Sequence, residues 1–242
     1  MMEGLVDVDE DNSAQKLSCN SMPYQTQECL LYGSILVDRI PDLERRLAGL
    51  CDPGCEEYSE HEMSFSLRTG AQNPDVSIKL RRRFKADITL QSYWQFRYIG
   101  VPEPDQNCPV IVRKEISSMT QSTDMMNFAK ALGLRMDYEY LTKGKLWTKG
   151  VIKITHTVIT RTDRPGNYDP ASIKPVSDEA LVEMCISLPE SAEYMPAAKQ
   201  LREFADNLAP LVMLKKVDYW KKFCSTGTPA SATTPSTSQQ KS

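Results

Sequence analysis

Histidine is nearly missing from this chain: its 242 residues contain two, His61 and His156. Any imidazole chemistry must use one of them, and no nucleophile motif such as Gly-x-Ser-x-Gly accompanies either. His156 alternates with Ile152, Ile154 and Val158, which predicts a ring on a buried strand face with a packing role. The eleven glycines are scattered and form neither a phosphate-cradling G-x-x-x-x-G-K-[ST] loop nor a dinucleotide G-x-G-x-x-G turn. Enzymes of the usual ATP, GTP and dinucleotide classes are thereby set aside, and no cofactor or small-molecule ligand is expected.

Long apolar runs are also lacking. The longest uncharged apolar stretch, around Leu208 to Leu214, falls far short of the ~20 residues of a membrane span. The opening residues alternate Met, Glu, Val and Asp, with no secretory apolar region or Arg-rich transit helix. Seven cysteines are an odd number, and no Asn-x-Ser/Thr acceptor occurs. The expectation is a soluble intracellular protein with reduced thiols. Cys51-x-x-x-Cys55, followed by His61 and later Cys108, lacks the second ligand pair of a zinc site, so these are read as ordinary thiols.

Charge is present but uneven. Against 29 Lys+Arg stand 32 Asp+Glu. Residues 1–26 hold five acids (Glu3, Asp7, Asp9, Glu10, Asp11) and one base (Lys16), while 225–242 hold only Lys241, which leaves 27–224 with no net charge. A neutral body argues against direct nucleic-acid contact, for which a strongly basic domain is the rule. The composition predicts a disordered acidic segment at 1–26 and a disordered Ser/Thr/Pro tail at 225–242, with one folded domain at 27–224.

Period-two alternation dominates that body. It runs through Met63-Phe65-Leu67, Val76-Ile78-Leu80, Trp94-Phe96-Tyr98, Leu134-Met136-Tyr138-Tyr140 and Val182-Met184-Ile186-Leu188, the signature of half-buried strands. Further strands are expected at 28–36, 109–117 and 151–161, with long loops at 100–108 and 162–178. Lys143-Gly144-Lys145 reads as a tight hairpin turn and Gly150 as a bulge or bend. Three helices are predicted. The first has Pro41 in its opening turn and a Leu43-Leu47-Leu50 stripe. In the second, Ser122 or Thr123 caps a Met125-Phe128-Ala129-Leu132 face that ends at Gly133. The third runs from Pro196 to Pro210 with Ala197, Leu201, Phe204, Ala205 and Leu208 inward. The sum is a mainly β fold, an antiparallel barrel of about eight strands with three flanking helices.

The densest charge run is Lys79, Arg81, Arg82, Arg83 and Lys85. It reads as a charged outward or edge face that discourages aggregation, with phosphate binding as the weaker reading. A charged barrel also invites comparison with the triphosphate tunnel enzymes. In these, a Glu-x-Glu-x-Lys strand holds a divalent metal and inward bases neutralise a polyphosphate. Here Glu62-Met63-Ser64-Phe65-Ser66 keeps one carboxylate with hydroxyls at the other two positions, and Asp137-x-Glu139 leads to Leu141 where a base belongs. A metal-dependent triphosphatase on this barrel is therefore the alternative function.

A distinctive order of motifs runs through the body. It begins with Leu31-Tyr32-Gly33-Ser34-Ile35 and Leu47-Ala48-Gly49-Leu50-Cys51-Asp52, and continues through His61-Glu62-Met63 and Trp94-Gln95-Phe96-Arg97-Tyr98-Ile99-Gly100. Gly133-Leu134-Arg135-Met136-Asp137-Tyr138-Glu139, Lys143-Gly144-Lys145-Leu146, Lys149-Gly150 and Pro165-Gly166-Asn167 follow, closing with Phe204-Ala205-x-x-Leu208-x-Pro210-Leu211-Val212. This order resembles the Mediator complex subunit 18 family, animal type, and the resemblance implies a barrel similar to the triphosphate tunnel fold without its chemistry. It also implies a non-catalytic subunit of the nuclear Mediator head module, a coactivator of RNA polymerase II. Such a subunit pairs with a second barrel, Mediator subunit 20, and captures a C-terminal helix of Mediator subunit 8. Of the strand aromatics Trp94, Phe96, Tyr98, Tyr138, Tyr140 and Trp147, most are expected to fill the barrel and some to line the helix-binding groove.

Overall fold

A computed structural model describes residues 25–68, 70, 76–84 and 93–217. The acidic segment and the Ser/Thr/Pro tail lie outside the described residues, apart from Gln25 and Thr26, which open the first strand. The strands are β1 (Gln25–Leu36), β2 (Glu56–Leu67), β3 (Val76–Arg83), β4 (Tyr93–Ile99), β5 (Ile111–Gln121), β6 (Arg135–Lys149), β7 (Ile152–Thr162), β8 (Ile173–Pro175) and β9 (Glu179–Pro189). The helices are α1 (Ile40–Leu50), α2 (Met125–Ala131) and α3 (Met195–Asp206).

Eight of these strands pair in the order β6-β2-β3-β4-β5-β1-β9-β7, and β7 returns to β6 to close the ring. All pairings are antiparallel, so the eight-strand barrel expected from the alternation is the fold. β8 lies outside it, paired to β7 by Thr160–Thr162. Closure removes the free edges that an open sheet of this size would expose.

In an eight-strand barrel the interior has room only for side chains, so the helices must sit outside. The larger core lies between α1, α3 and the outer face of β1, β9 and β7. Leu43 and Leu47 of α1 and Ala197, Ala198, Leu201 and Ala205 of α3 meet Cys29, Leu31, Ile152, Ile154, Met184 and Ile186. A smaller core places Met125 and Ala129 of α2 on Met63, Phe65, Ile78, Leu80 and Trp94, the outer face of β2, β3 and β4.

Three local expectations are corrected. Lys143-Gly144-Lys145 is not a turn: β6 runs unbroken through it, and the reversal comes after Lys149, where Gly150 takes φ +57°. The cap of α2 is Asp124, whose carboxylate accepts from Asn127 N, while Ser122 Oγ accepts from Asp124 N. Phe128 and Leu132 are exposed, because a helix of under two turns sets only the Met125-Ala129 pair on the sheet. In the third helix region, α3 ends at Asp206, and Leu208 is buried from the turn beyond it.

Candidate functional site

The strand faces opposite the helices line the lumen, and alternation decides what stands there. β2 turns Tyr58, Glu60, Glu62 and Ser64 inward, β3 Lys79 and Arg81, β4 Arg97, β5 Arg113 and Glu115, β1 Glu28, and β6 Tyr140. Ion pairs dominate these positions, beside a small apolar cluster of Leu30, Ile111 and Cys185 on the same faces of β1, β5 and β9. Lys79 Nζ lies 2.6 Å from Glu62, Arg81 donates to Glu62 at 2.9 Å and lies 3.4 Å from Glu60, and the Tyr140 hydroxyl donates to Glu62. Arg97 grips Glu115 with two 2.7 Å bonds, and Arg113 donates to Glu28 at 3.0 and 3.2 Å.

These pairs show in the protonation energetics. Burial alone would push Glu62 up, but Arg81, Lys79 and the hydrogen bonds outweigh it and hold the carboxyl at about 2. Glu115 is likewise penalised by burial, yet the Arg97 hydrogen bonds bring it to about 2. Arg97 and Arg113 lose solvation on burial and still stay charged, held up by the carboxylates around them.

The tunnel comparison is corrected on one count. β2 starts at Glu56, and Glu60 is a second inward carboxylate two residues before Glu62, so the strand reads Glu60-x-Glu62-x-Ser64. The base position is still missing, and both carboxylates are taken by Arg81 and Lys79. Asp137 and Glu139 stand on the opposite face of their strand, where Asp137 accepts from Ser66 and Glu139 meets His61. Among the described residues no group of three or more His, Cys, Asp or Glu is placed to hold a metal.

The basic run also departs from expectation. Pleating splits it: Lys79 and Arg81 enter the lumen, Arg82 stacks outward over Trp94 at 4.3 Å, and exposed Arg83 lies 3.5 Å from Glu56. A period of two turns only Arg82 to the outer wall; Lys79 and Arg81 share the other face with Arg83 and are paired with Glu62 in the lumen. Lys85 lies outside the described residues.

The two histidines are both buried on the outer wall. His156 Nε2 donates to Glu44 of α1 at 3.0 Å beside the Trp147 ring, tying the first helix to the barrel. His61 accepts from Arg82 through Nδ1 and meets Glu139 at 3.0 Å and the Tyr168 hydroxyl at 3.1 Å through Nε2. Tyr168 and the amide of Gly166 also donate to Glu139, at 3.0 and 2.7 Å. Glu139 thus straps the 163–169 loop to the wall. Glu139→Ala is expected to cost about 1–3 kcal/mol, since buried donors lose their acceptor. Faster hydrogen exchange at the Gly166 amide, with protection kept in β1 and β9, is the expected readout.

The six strand aromatics are scattered by this geometry. Trp94 (5% exposed) lies under α2 and Trp147 (4% exposed) beside His156. Phe96 and Tyr98 are half-buried beside the α2 core. Tyr140 is the one inside the barrel, with Tyr138 stacked on it at 6.1 Å and 55% exposed at the mouth. The expectation that most of them fill the barrel is overturned, because inward positions went to ion pairs and outward ones to the helix-covered face. Elsewhere, a cleft of about 800 Å³ opens between the end of β1, α1 and Pro210-Leu211, with Arg39, Arg45 and Arg46 on its rim.

Fold and lumen together define a closed antiparallel barrel whose inward carboxylates are paired with bases of the same chain. Comparison with known proteins narrows the class. The family model described as Med18 protein matches residues 27–221. The chain is 69% identical over 222 residues to Mediator of RNA polymerase II transcription subunit 18 of Caenorhabditis elegans, covering 91% of this chain and 96% of that one. It is 35% identical over 214 residues to the subunit of the same name from Aedes aegypti, covering 86% and 91%. This chain therefore belongs to the Mediator subunit 18 family, as its motif order suggested. Among solved structures, a chain of the Schizosaccharomyces pombe Mediator head module shares the fold with TM-score 0.65 and 16% identity, over 79% of this chain and 98% of that one. The PH1819 protein from Pyrococcus horikoshii OT3 does so with TM-score 0.51 and 14% identity, over 83% and 99%.

Proposed function

We propose that this chain is a non-catalytic structural subunit of the Mediator head module, working in the nucleus in RNA polymerase II transcription. In this reading it pairs with Mediator subunit 20 and holds a C-terminal helix of Mediator subunit 8. The observation that carries the proposal is family membership across nearly the whole body, 69% identity to the C. elegans subunit included. The lumen supports it: Glu60, Glu62, Glu28 and Glu115 are each engaged by a base of the same chain, so metal or polyphosphate would have to displace built-in partners. An interaction subunit needs surface anchors instead. Of the six aromatics, Tyr138, Phe96 and Tyr98 keep accessible surface for that purpose, while Trp94 and Trp147 act by holding the wall beneath.

Co-expression with Mediator subunits 20 and 8 of the same organism tests the reading, with complex mass read by light scattering after size exclusion. A 1:1:1 species is expected. Tyr138→Ala should weaken capture of subunit 8 while the chain stays folded, whereas Trp94→Ala should cost about 3–5 kcal/mol of stability outright. A stable monomer that ignores both partners would sink the proposal, and a metal-dependent triphosphatase assay would then be the next measurement.

A further inference from the structure

The cleft at the far end of β1 combines apolar walls with a basic rim. Ile35, Leu36, Pro210 and Leu211 supply the walls, and Leu36 is 47% exposed. Arg39, Arg45 and Arg46 stand there against two acids, Asp42 and Glu179. Asp42 is shared: Arg39 lies 3.2 Å from one of its oxygens and Arg45 3.4 Å from the other. Arg46 donates to the carbonyls of Asn207, Leu208 and Ala209, which hold it in place without cancelling its charge. The side chains of Arg39 and Arg45 are 58% and 78% exposed, and each meets Asp42 through one nitrogen of its fork. A guanidinium has donors to spare beyond one such contact, so both forks can take a further carboxylate.

Charge and chain length point to one occupant within this chain. Residues 1–24 precede β1 and carry Glu3, Asp7, Asp9, Glu10 and Asp11 against Lys16 alone. Leu5, Val6 and Val8 interleave with these acids, so residues 5–11 offer apolar and anionic groups together. Residues 218–242 fit badly: Lys221, Lys222 and Lys241 outnumber Asp218, and the rim repels them. Leu36 lies eleven residues along β1 from Gln25, ~36 Å at the rise of a strand. Asp11 lies fourteen residues before Gln25, a stretch that spans up to ~46 Å when extended. Residues 5–11 therefore reach the cleft with slack.

We propose that residues 5–11 dock in this cleft of their own chain, with acids on Arg39 and Arg45 and with Leu5, Val6 and Val8 toward Leu36 and Leu211. Exposed ion pairs are individually weak, so the tether matters. A linked segment acts at roughly millimolar effective concentration, and an intrinsic affinity of about 100 μM then keeps about nine-tenths of the chains docked. Salt screens exposed pairs, so docking weakens as ionic strength rises. A docked segment also closes the cleft to acidic segments of other proteins.

The test uses the full-length chain with photo-reactive benzoylphenylalanine in place of Val8, cross-linked by light and mapped by mass spectrometry. Links from position 8 should fall within one chain, on the peptides that hold Leu36 and Leu211, and their yield should drop as salt is raised. Arg39→Glu with Arg45→Glu should cut that yield about tenfold, because two attractions become repulsions. Adding Asp7→Arg and Asp9→Arg to the reversed rim should restore it, a recovery that a damaged fold does not give. Links to other surfaces, or a cleft yield indifferent to the charge reversal, overturn the proposal. Links between two chains overturn it as well, since the segment then docks on a second copy. If the reversed rim does not fold, the salt titration of the labelled chain decides alone, and a yield that holds or rises with salt overturns the proposal.

Discussion

Arg97→Ala should destabilise the chain by about 3–5 kcal/mol, the usual consequence of removing one member of a buried ion pair and stranding the other. Arg97 is buried, grips Glu115 bidentately and lies 3.9 Å from Glu28 Oε1. Its loss leaves Glu115 without its bidentate partner, while Glu28 keeps Arg113. The comparison that gives the number meaning is Arg45→Ala. Arg45 lies 3.4 Å from Asp42 on the surface, with 78% of its side chain exposed, and its removal is expected to cost less than about 0.5 kcal/mol. Urea denaturation of both variants at pH 7 checks the pair. Equal costs would mean that the lumen ion pairs do not hold the barrel. A double change, Arg97→Leu with Glu115→Leu, should recover much of the loss, because replacing a buried pair by apolar volume is often near neutral. Recovery would show that the energetic weight lies in pairing and not in charge itself.

How far the fold could be read from the residues depends on which periodicity was at work. Strand alternation was legible because one face of each strand is apolar wherever helices cover the outer wall. Met63-Phe65 and Val182-Met184-Ile186 are plain cases. The lumen was harder to see. Its residues are the polar half of the same alternation, Glu62, Lys79, Arg81, Arg97 and Glu115, and a polar half ordinarily faces water. Only closure of the ring turns it into an interior, and closure depends on the β6–β7 pairing of residues close in the chain but on the first and last strands of the sheet order. Glu60 escaped notice for a related reason: β2 extends through Glu56-Glu57-Tyr58, a run whose acids do not look like a strand until Arg81 and Arg83 stand beside it. The outer strap built from His61, Glu139 and Tyr168 joins residues over 100 positions apart, and no local pattern links them. Family membership was legible without any of this geometry, since motif order requires no register.

Gly144 is where the misread turn carries a consequence. It lies mid-strand in β6, between Tyr58 of β2 and Thr157 of β7. A Cβ at this position would overlap the His156 carbonyl oxygen and meet the Tyr58 hydroxyl at 3.0 Å. The Tyr58 phenol crosses this bare backbone to reach Thr157 Oγ1, so the glycine is a slot through which two strand neighbours of β6 bond to each other. Its backbone is not in the left-handed region, and the requirement for glycine is therefore one of space. Gly144→Ala should cost about 2–3 kcal/mol, as overpacking against immovable backbone does. The seam that opens should be β6–β7, the pairing that closes the barrel. Two controls separate causes. Gly49→Ala, on the open face of α1 with nothing near its added methyl, should stabilise the chain by about 0.5–1 kcal/mol through helix propensity. Adding Tyr58→Ala to Gly144→Ala removes the side-chain neighbour but not the His156 carbonyl. If that double variant regains the wild-type hydrogen-exchange protection of β7, the obstacle was the phenol. If β7 stays unprotected, the approach of two backbones at Gly144 is what lets the barrel close.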